Sequence, residues 1–228
     1  MRLTIGEKMI DIFRAENAAA PLVILNDFKS SGNEIYQACK ALGCPDFTLA
    51  EITGLRWNDE LSPRAAEPLG KNEPPFGGKA DEYLGLLLEE ILPAVTAELD
   101  GAPRRVLLAG YSMAGLFALY AATKCKAFQA VASCSGSLWF PGFKETMLTC
   151  GASGLPRAAY FSLGDREART KNEILHTVED NTKEIAARFA AQGVRTFFEM
   201  NKGNHFQQGA LRTAKGITWI VENCENER

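Results

Sequence analysis

The 228-residue sequence contains only two histidines, and it has neither a long apolar run nor a large excess of charge of one sign. A helix that spans a membrane needs about 20 consecutive apolar residues. The apolar runs here, such as residues 84–88, are interrupted within a few positions. The formal net charge of −3 provides no basic field that would hold a phosphate backbone. We therefore expect a soluble protein that binds neither a membrane nor nucleic acid.

The six cysteines are scattered along the chain and form no Cys-x-x-Cys pair, and neither histidine lies near a second metal ligand in sequence. A zinc site therefore has no local support, and we expect no metal and no other cofactor. The chain is long enough to fold without disulfides, so we expect reduced cysteines. The N-terminus has a charge at Glu7 and lacks the apolar stretch of a secretory signal, which predicts a cytoplasmic location.

Short β-type segments alternate with helical patterns, which predicts a parallel sheet covered by helices on both faces. The predicted strands are residues 9–13, 22–25, 47–52, 105–109, 127–132, 158–163 and 194–199. Apolar residues recur with a helical period over 83–99, where Asp81 is a candidate cap and Pro93 a candidate bend, and again over 208–221. No repeat or long linker divides the chain, so residues 1–228 are predicted to form one domain.

Residues 105–115 differ from the other segments because an apolar strand, a Gly-x-Ser-x-Ala-Gly turn and an almost entirely apolar helix follow one another. A serine at a sharp strand-to-helix turn is held in strained geometry, with its hydroxyl projecting from the carboxyl edge of the sheet. The serine of this turn is Ser112. The N–H of Met113, at the start of the helix, is placed to meet a developing oxyanion. We therefore predict that Ser112 is a nucleophile rather than a simple helix cap.

A serine nucleophile needs a base, and the chain offers only His176 and His205. His205 lies in a loop after the last predicted strand, at the sheet edge to which Ser112 points, whereas His176 lies within a helical pattern. His205 is therefore the predicted base. The acid of such a triad lies between the serine and the histidine in the chain, where Asp165 and Glu167 follow a predicted strand. We favour Glu167, since Asp165 has less room to turn towards His205, and we keep Asp165 as the alternative.

These residues resemble the α/β-hydrolase fold and, within it, the esterase family that includes esterase D and the ferric enterochelin esterases. The similar segments are residues 78–93, Gly-Tyr-Ser-Met-Ala-Gly-Leu-Phe-Ala-Leu-Tyr at 110–120, Ser-Cys-Ser-Gly-Ser-Leu-Trp-Phe at 133–140, Gly-x-x-Glu at 164–167 and Gly-Asn-His at 203–205. The resemblance covers about residues 21–221. It implies a three-layer α/β fold with a mostly parallel sheet, and a serine hydrolase of carboxylic esters with Ser112, Glu167 and His205 as its triad.

The sequence departs from the family pattern at two places. Ala114 stands where the family usually has glycine, and Asn-Asp-Phe at 26–28 follows an early strand where many hydrolases carry His-Gly. The resemblance therefore places the second oxyanion donor at the backbone N–H of Asp27 or Phe28.

The segment 137–156 is too short for a large cap domain, so we expect an open site for a small-molecule ester. The aromatic side chains of Trp57, Tyr111, Trp139 and Phe140 are candidates to line it, and packing in the core or at the rim is the alternative for such aromatics. The same triad would also serve an acyltransferase or a thioesterase, and a binding protein on a hydrolase fold is a further alternative. Homo-oligomerisation is compatible with the sequence.

Overall fold

Eight strands form one mostly parallel sheet in the computed structural model, which describes residues 1–70 and 72–224. The strands of the protein are β1 (Arg2–Ile5), β2 (Lys8–Phe13), β3 (Leu22–Asn26), β4 (Thr48–Thr53), β5 (Ala65–Ala66), β6 (Phe76–Gly77), β7 (Val106–Tyr111), β8 (Ala130–Cys134), β9 (Ala158–Gly164) and β10 (Arg195–Asn201). The order across the large sheet is β1-β2-β4-β3-β7-β8-β9-β10, and β5 pairs with β6 separately. Strand β2 is antiparallel to β1 and β4, and the remaining neighbours are parallel.

Helices cover both faces of this sheet. They are α1 (Gly32–Ala41), α2 (Trp57–Glu60), α3 (Ala80–Leu86), α4 (Leu92–Ala97), α5 (Met113–Lys124), α6 (Phe143–Thr149), α7 (Glu173–His176), α8 (Val178–Ala191) and α9 (Gly209–Asn223). The side chains of β3 alternate between two hydrophobic cores: Ile24 belongs to the core that also contains residues of α3, α5 and α8, and Val23 belongs to the core that contains residues of α1 and α9. This arrangement confirms the predicted three-layer α/β fold. No helix of the described chain combines the length and apolar character that a membrane span requires.

Helix α5 lies against the sheet and is buried along residues 113–122, as its apolar composition predicts. Its first turn passes very close to the end of β7, because a Cβ atom on Gly110 would lie 2.3 Å from the carbonyl carbon of Ala114. Only glycine fits at position 110, whereas the small alanine is accommodated at 114. The close approach fixes where the residue between them, Ser112, stands relative to the sheet.

The helical segment predicted over 83–99 is divided in the structure. A π-helical turn over Leu87–Ile91 joins α3 to α4, and Pro93 is the second residue of α4. Proline lacks an N–H and its ring crowds the carbonyl four residues earlier, so a wider turn relieves a conflict that a regular helix would contain. The prediction that Asp81 caps the helix is wrong. Asp81 lies inside the first turn of α3, where its carboxylate accepts a hydrogen bond from the hydroxyl of Tyr120.

The parallel strands β3, β4, β7, β8, β9 and β10 all end at one edge of the sheet. The loops that follow these six strands therefore meet there. The predicted nucleophile, acid, base and oxyanion donors all lie on these loops or at the start of the helix after β7.

Candidate active site

Ser112 lies between β7 and α5 with φ 60° and ψ −125°, a conformation that residues other than glycine rarely adopt. Two hydrogen bonds from the neighbouring segment hold this turn. The Ser112 N–H donates to the carbonyl of Cys134 at 3.1 Å, and its carbonyl accepts the N–H of Ser137 at 3.0 Å. The hydroxyl of Ser137 also lies 3.3 Å from Ser112 Oγ. The end of β8 and the loop after it thus hold the strained serine.

His205 contacts both the serine and an acid. Its Nε2 lies 3.1 Å from Ser112 Oγ, and its Nδ1 lies 2.7 Å from Oε2 of Glu167. The backbone of the histidine loop is held in turn by Tyr111, whose hydroxyl donates to the His205 carbonyl at 2.8 Å. The structure thus brings Ser112, His205 and Glu167 together in one hydrogen-bonded chain.

The Glu167 carboxylate is buried beneath the histidine, with its side chain 4% exposed. Its second oxygen, Oε1, accepts hydrogen bonds from the N–H of Gly164 at 2.6 Å, the hydroxyl of Ser135 at 2.7 Å and the guanidinium of Arg212 at 3.0 Å. Burial alone would raise the pKa of Glu167, but the hydrogen bonds from His205, Ser135 and Gly164 outweigh it and lower that pKa. The carboxylate is therefore ionised at neutral pH and accepts hydrogen bonds through both oxygens.

The alternative acid, Asp165, lies in the same loop but contacts different groups. Its Oδ1 accepts the N–H of Gly203 at 2.8 Å and lies 3.9 Å from Nε of Arg166. Gly203 belongs to the loop that carries His205. Asp165 therefore supports the backbone of the histidine loop, while Glu167 contacts the imidazole.

The second histidine, His176, is exposed at the end of α7, where its Nδ1 lies 2.7 Å from the carbonyl of Ala168. His205 is the histidine that reaches Ser112. Across residues 1–70 and 72–224, no three histidine, cysteine or acidic side chains are grouped in a way that could hold a metal ion.

Backbone N–H groups lie on two sides of Ser112. Met113 is the first residue of α5, and the first N–H groups of a helix have no acceptor within it. On the other side, the N–H of Asp27 donates to the carbonyl of Ile52 at 2.9 Å and is occupied within the sheet. The N–H of Phe28 lies outside the sheet and donates to Oδ1 of Asp27 at 2.8 Å.

A cavity of about 630 Å³ opens over Ser112 and His205. Its apolar lining consists mainly of Phe28, Trp57, Tyr111, Ala210 and Leu211, with Phe206 at the rim. Phe28 is 68% exposed and Phe206 is 89% exposed, on loops that follow different strands. Aromatic rings exposed beside a concave site are typical of a surface that binds an apolar ligand. Phe206 was not among the residues that the sequence predicted to line the site, although its place directly after His205 was an available signal.

The structure contradicts the expectation that Trp139 and Phe140 line the site. Phe140 is 1% exposed and packs edge-on against Phe76, and Trp139 packs against the same ring. The loop that carries them is drawn towards the core because the side-chain amide of Asn181 donates to the carbonyl of Leu138 at 3.0 Å. Trp139 and Phe140 thus pack against the core, which was the alternative for these two aromatics.

Two neighbouring carboxyl groups lie beneath the loop that follows β3. Oδ2 of Asp27 accepts the N–H and the hydroxyl of Ser31, both at 2.6 Å, and Oε1 of Glu51 accepts the N–H of Gly32 at 2.7 Å. Burial, followed by a hydrogen bond to Asp27, raises the pKa of Glu51 to about 7. For Asp27, hydrogen bonds from Ser31 and Glu51 outweigh burial and lower the pKa. Glu51 is therefore the member of the pair that is protonated below about pH 7.

Comparison with protein families gives one match that covers more than half of the chain. Residues 61–208 match the Esterase family, described as "Putative esterase". The matched segment contains Ser112, Glu167 and His205. The uncharacterized protein YbbA of Bacillus subtilis is 23% identical over 188 residues, which cover 79% of this chain and 75% of that protein.

Solved structures share the fold at low sequence identity. The siderophore hydrolase EstA from Aspergillus nidulans has a TM-score of 0.76 at 19% identity, covering 97% of this chain and 93% of its own. An IroE-like serine hydrolase from Shewanella oneidensis has a TM-score of 0.76 at 17% identity, with coverages of 97% and 79%. The enterobactin esterase FES from Shigella flexneri has a TM-score of 0.71 at 19% identity, with coverages of 97% and 58%.

The protonated carboxyl of Glu51 predicts a pH-dependent stability. Its folded pKa of about 7 lies above the ordinary value of 4.5, so unfolding releases a proton and the protein loses stability as pH rises from about 4.5 through 7. The full difference corresponds to roughly 3 kcal/mol. Because glutamine does not ionise, the Glu51→Gln variant should be more stable than the parent at pH 8 and close to it at pH 5, as measured by urea unfolding.

The control is Glu90→Gln, which removes an exposed carboxyl group. It should leave the difference in unfolding free energy between pH 5 and pH 8 unchanged. A Glu51→Gln protein that loses as much stability as the parent between these two pH values would contradict the prediction.

Proposed function

Since this chain belongs to the esterase family and is a hydrolase of that class, we propose that it cleaves carboxylic esters through an acyl-enzyme formed on Ser112. One observation carries the proposal. Ser112 Oγ, both nitrogens of His205 and the carboxylate of Glu167 form a continuous chain with separations of 3.1 and 2.7 Å. This is the arrangement in which a serine hydroxyl is activated by a base whose orientation is fixed by an acid.

In the proposed mechanism, Oγ of Ser112 attacks the ester carbonyl while Nε2 of His205 takes the hydroxyl proton. Glu167 accepts a hydrogen bond from Nδ1–H, which selects the tautomer with a free Nε2 and stabilises the imidazolium that forms. The imidazolium then gives the proton to the departing alkoxide, and the acyl group remains on Ser112. Water then attacks the acyl carbonyl while His205 takes one of its protons. The proton passes from His205 to Oγ of Ser112 as the carboxylic acid leaves.

The negative charge of the tetrahedral intermediate is assigned to two backbone donors. One is the N–H of Met113 at the start of α5, where the helix dipole also favours negative charge. The other is the N–H of Phe28, which exchanges its bond to Asp27 for one to the oxyanion. Phe28 is preferred over the other candidate because the Asp27 N–H is already bonded within the sheet.

The residues at the rim of the cavity support the proposal that the substrate is an ester with a bulky apolar or aromatic group. The exposed rings of Phe28 and Phe206 lie on two of the loops around Ser112, and Trp57 packs edge-on against Phe28. The volume of about 630 Å³ is within the range of pockets that hold drug-sized ligands. EstA and FES are named for a siderophore and for enterobactin, so esters of siderophores belong in the substrate panel beside simple aryl esters.

The nucleophile is tested by the Ser112→Ala variant. It should fail to react with a fluorophosphonate probe, and its hydrolysis of p-nitrophenyl acetate should fall roughly 10⁵- to 10⁶-fold, because no other group forms the acyl-enzyme. Intact-mass spectrometry and a spectrophotometric assay measure the two effects. The matched control is Ser30→Gly, which removes a hydroxymethyl group from another residue of positive φ. Probe adduct on the Ser112→Ala protein would contradict the assignment.

The acid is tested by two isosteric variants. Glu167→Gln should lower kcat by roughly 10³- to 10⁴-fold, because an amide neither fixes the tautomer nor stabilises the imidazolium. Asp165→Asn keeps an oxygen that accepts the Gly203 N–H, so its kcat should fall by no more than about tenfold. Steady-state kinetics on one ester compare them, and circular dichroism confirms that both fold. A larger loss in the Asp165 variant would reverse the assignment.

The rim is tested by Phe206→Ala. Removing this ring should raise KM for a naphthoate ester about tenfold, which corresponds to the loss of about 1.4 kcal/mol of apolar contact, and should leave kinetics with an acetate ester unchanged. Phe197→Ala is the control, because Phe197 is also exposed but lies on β10 outside the cavity lining. Equal changes with the two esters would show that Phe206 has no part in substrate selection.

A further inference from the structure

Arg212 of α9 is buried with 0% exposure, and its guanidinium contacts four segments around the proposed active site. Nη1 donates to Glu167 Oε1 at 3.0 Å, to Ser135 Oγ at 3.2 Å and to the hydroxyl of Tyr111 at 3.3 Å. Nη2 donates to the carbonyl of Lys202 at 3.1 Å. One side chain therefore links the end of β7 with the loops that follow β8, β9 and β10.

The guanidinium of Arg212 packs closely against the end of β9. A Cβ atom on Gly164 would lie 2.9 Å from both Nη atoms, so the guanidinium fits only because residue 164 is glycine. Tyr111, which accepts one of its hydrogen bonds, donates to the His205 carbonyl. Arg212 thus contacts the acid directly and reaches the backbone of the base through one intermediate residue.

Charge compensation explains why an arginine can be buried here. Burying a guanidinium is costly unless a carboxylate pairs with it, and Glu167 is its carboxylate partner within ion-pair distance in the described part of the chain. Its charge also acts on the hydroxyl of Tyr111 and the thiol of Cys134, and Asp165 lies on the loop after β9 that it contacts. Burial raises the pKa of the hydroxyl and of the thiol, so these two groups are neutral near pH 7. The positive charge of Arg212 therefore acts mainly on the pair formed by Glu167 and His205.

We propose that Arg212 is a positioning residue: it holds Oε1 of Glu167 so that Oε2 faces His205, and its fixed charge sets the pH at which the Glu167–His205 pair takes up a proton. The inference rests on the proposed function, because Arg212 acts on the reaction through Glu167 and does not itself touch the reacting atoms. It concerns a residue outside the triad and the oxyanion donors.

The effect of the charge has a definite sign. With His205 neutral, Arg212 and Glu167 compensate each other, whereas a protonated His205 would leave the carboxylate between two cations. Without Arg212, the buried carboxylate would be uncompensated. The pair would then take up a proton at higher pH, whichever of the two groups carries it.

The experiment is the pH profile of kcat/KM for a p-nitrophenyl ester. In Arg212→Met, which has similar bulk and no charge, the acid limb of the profile should move to higher pH by about one unit or more. Arg212→Gln, which keeps some hydrogen-bond donors, should move it in the same direction and provides a second neutral variant if the methionine protein does not fold. Arg212→Lys should lower the rate but keep the limb near its parent position, because the charge remains.

The matched control is Arg166→Met, the same change at an exposed arginine directly before Glu167, and it should leave the acid limb unchanged. A neutral Arg212 variant that folds, loses activity and keeps the parent's acid limb would overturn the proposal, since Arg212 would then be only structural. Failure of the proposed function would be seen separately, because the parent protein itself would not react with fluorophosphonate at Ser112.

Discussion

The rest of the site depends on the strained turn at Ser112. A non-glycine residue with φ 60° and ψ −125° costs about 1–3 kcal/mol, and such a conformation persists only where the surroundings determine it fully. Here the end of β8 and its loop bond both backbone groups of the serine, and α5 is anchored behind it by ten consecutive buried residues, 113–122. Because α5 approaches β7 closely at Gly110, the turn between them is held at a fixed place relative to the sheet. The loops after β9 and β10 then bring Glu167 and His205 to this fixed serine.

Two buried glutamates of this protein illustrate how the surroundings decide the charge of a carboxyl group. Around Glu167, an N–H, a hydroxyl, an imidazole and a guanidinium all donate, so the ionised form is favoured although the side chain is buried. Glu51 accepts one backbone N–H and faces the carboxylate of Asp27, so its neutral form is favoured. Burial pushes both groups in the same direction, and the number of donors makes the difference. Glu167 is thus a permanent hydrogen-bond acceptor for His205, whereas Glu51 holds the loop that follows β3.

Much of this arrangement could be predicted from the sequence, because the sequence patterns that indicate it lie within short segments or leave few candidate residues for a role. Strands and a wholly apolar helix have characteristic patterns, Ser112 lies in a recognisable turn, and only two histidines compete for the role of base. Other features depend on tertiary packing. Aromatics such as Trp139 and Phe140 look alike in a core and at a rim, and the polar–apolar alternation of β1 extends over only four residues, too few to indicate a strand. Arg212 occurs in an amphipathic helix, where an arginine ordinarily marks the exposed face, so its burial could not be inferred.

The same loops provide both apolar rings and reacting groups. Phe28 presents an exposed ring and the N–H proposed to meet the oxyanion, and Phe206 directly follows the histidine that contacts Ser112. An ester group that packs against these rings would cover apolar surface that water otherwise meets, which favours binding. Because the rings and the reacting groups share a backbone, contacts made at the rim would also restrict the loops that hold the donor and the base. Binding energy from a part of the substrate that does not react would thus help to position the ester carbonyl for attack. An open site without a large cap can in this way still position a substrate over Ser112.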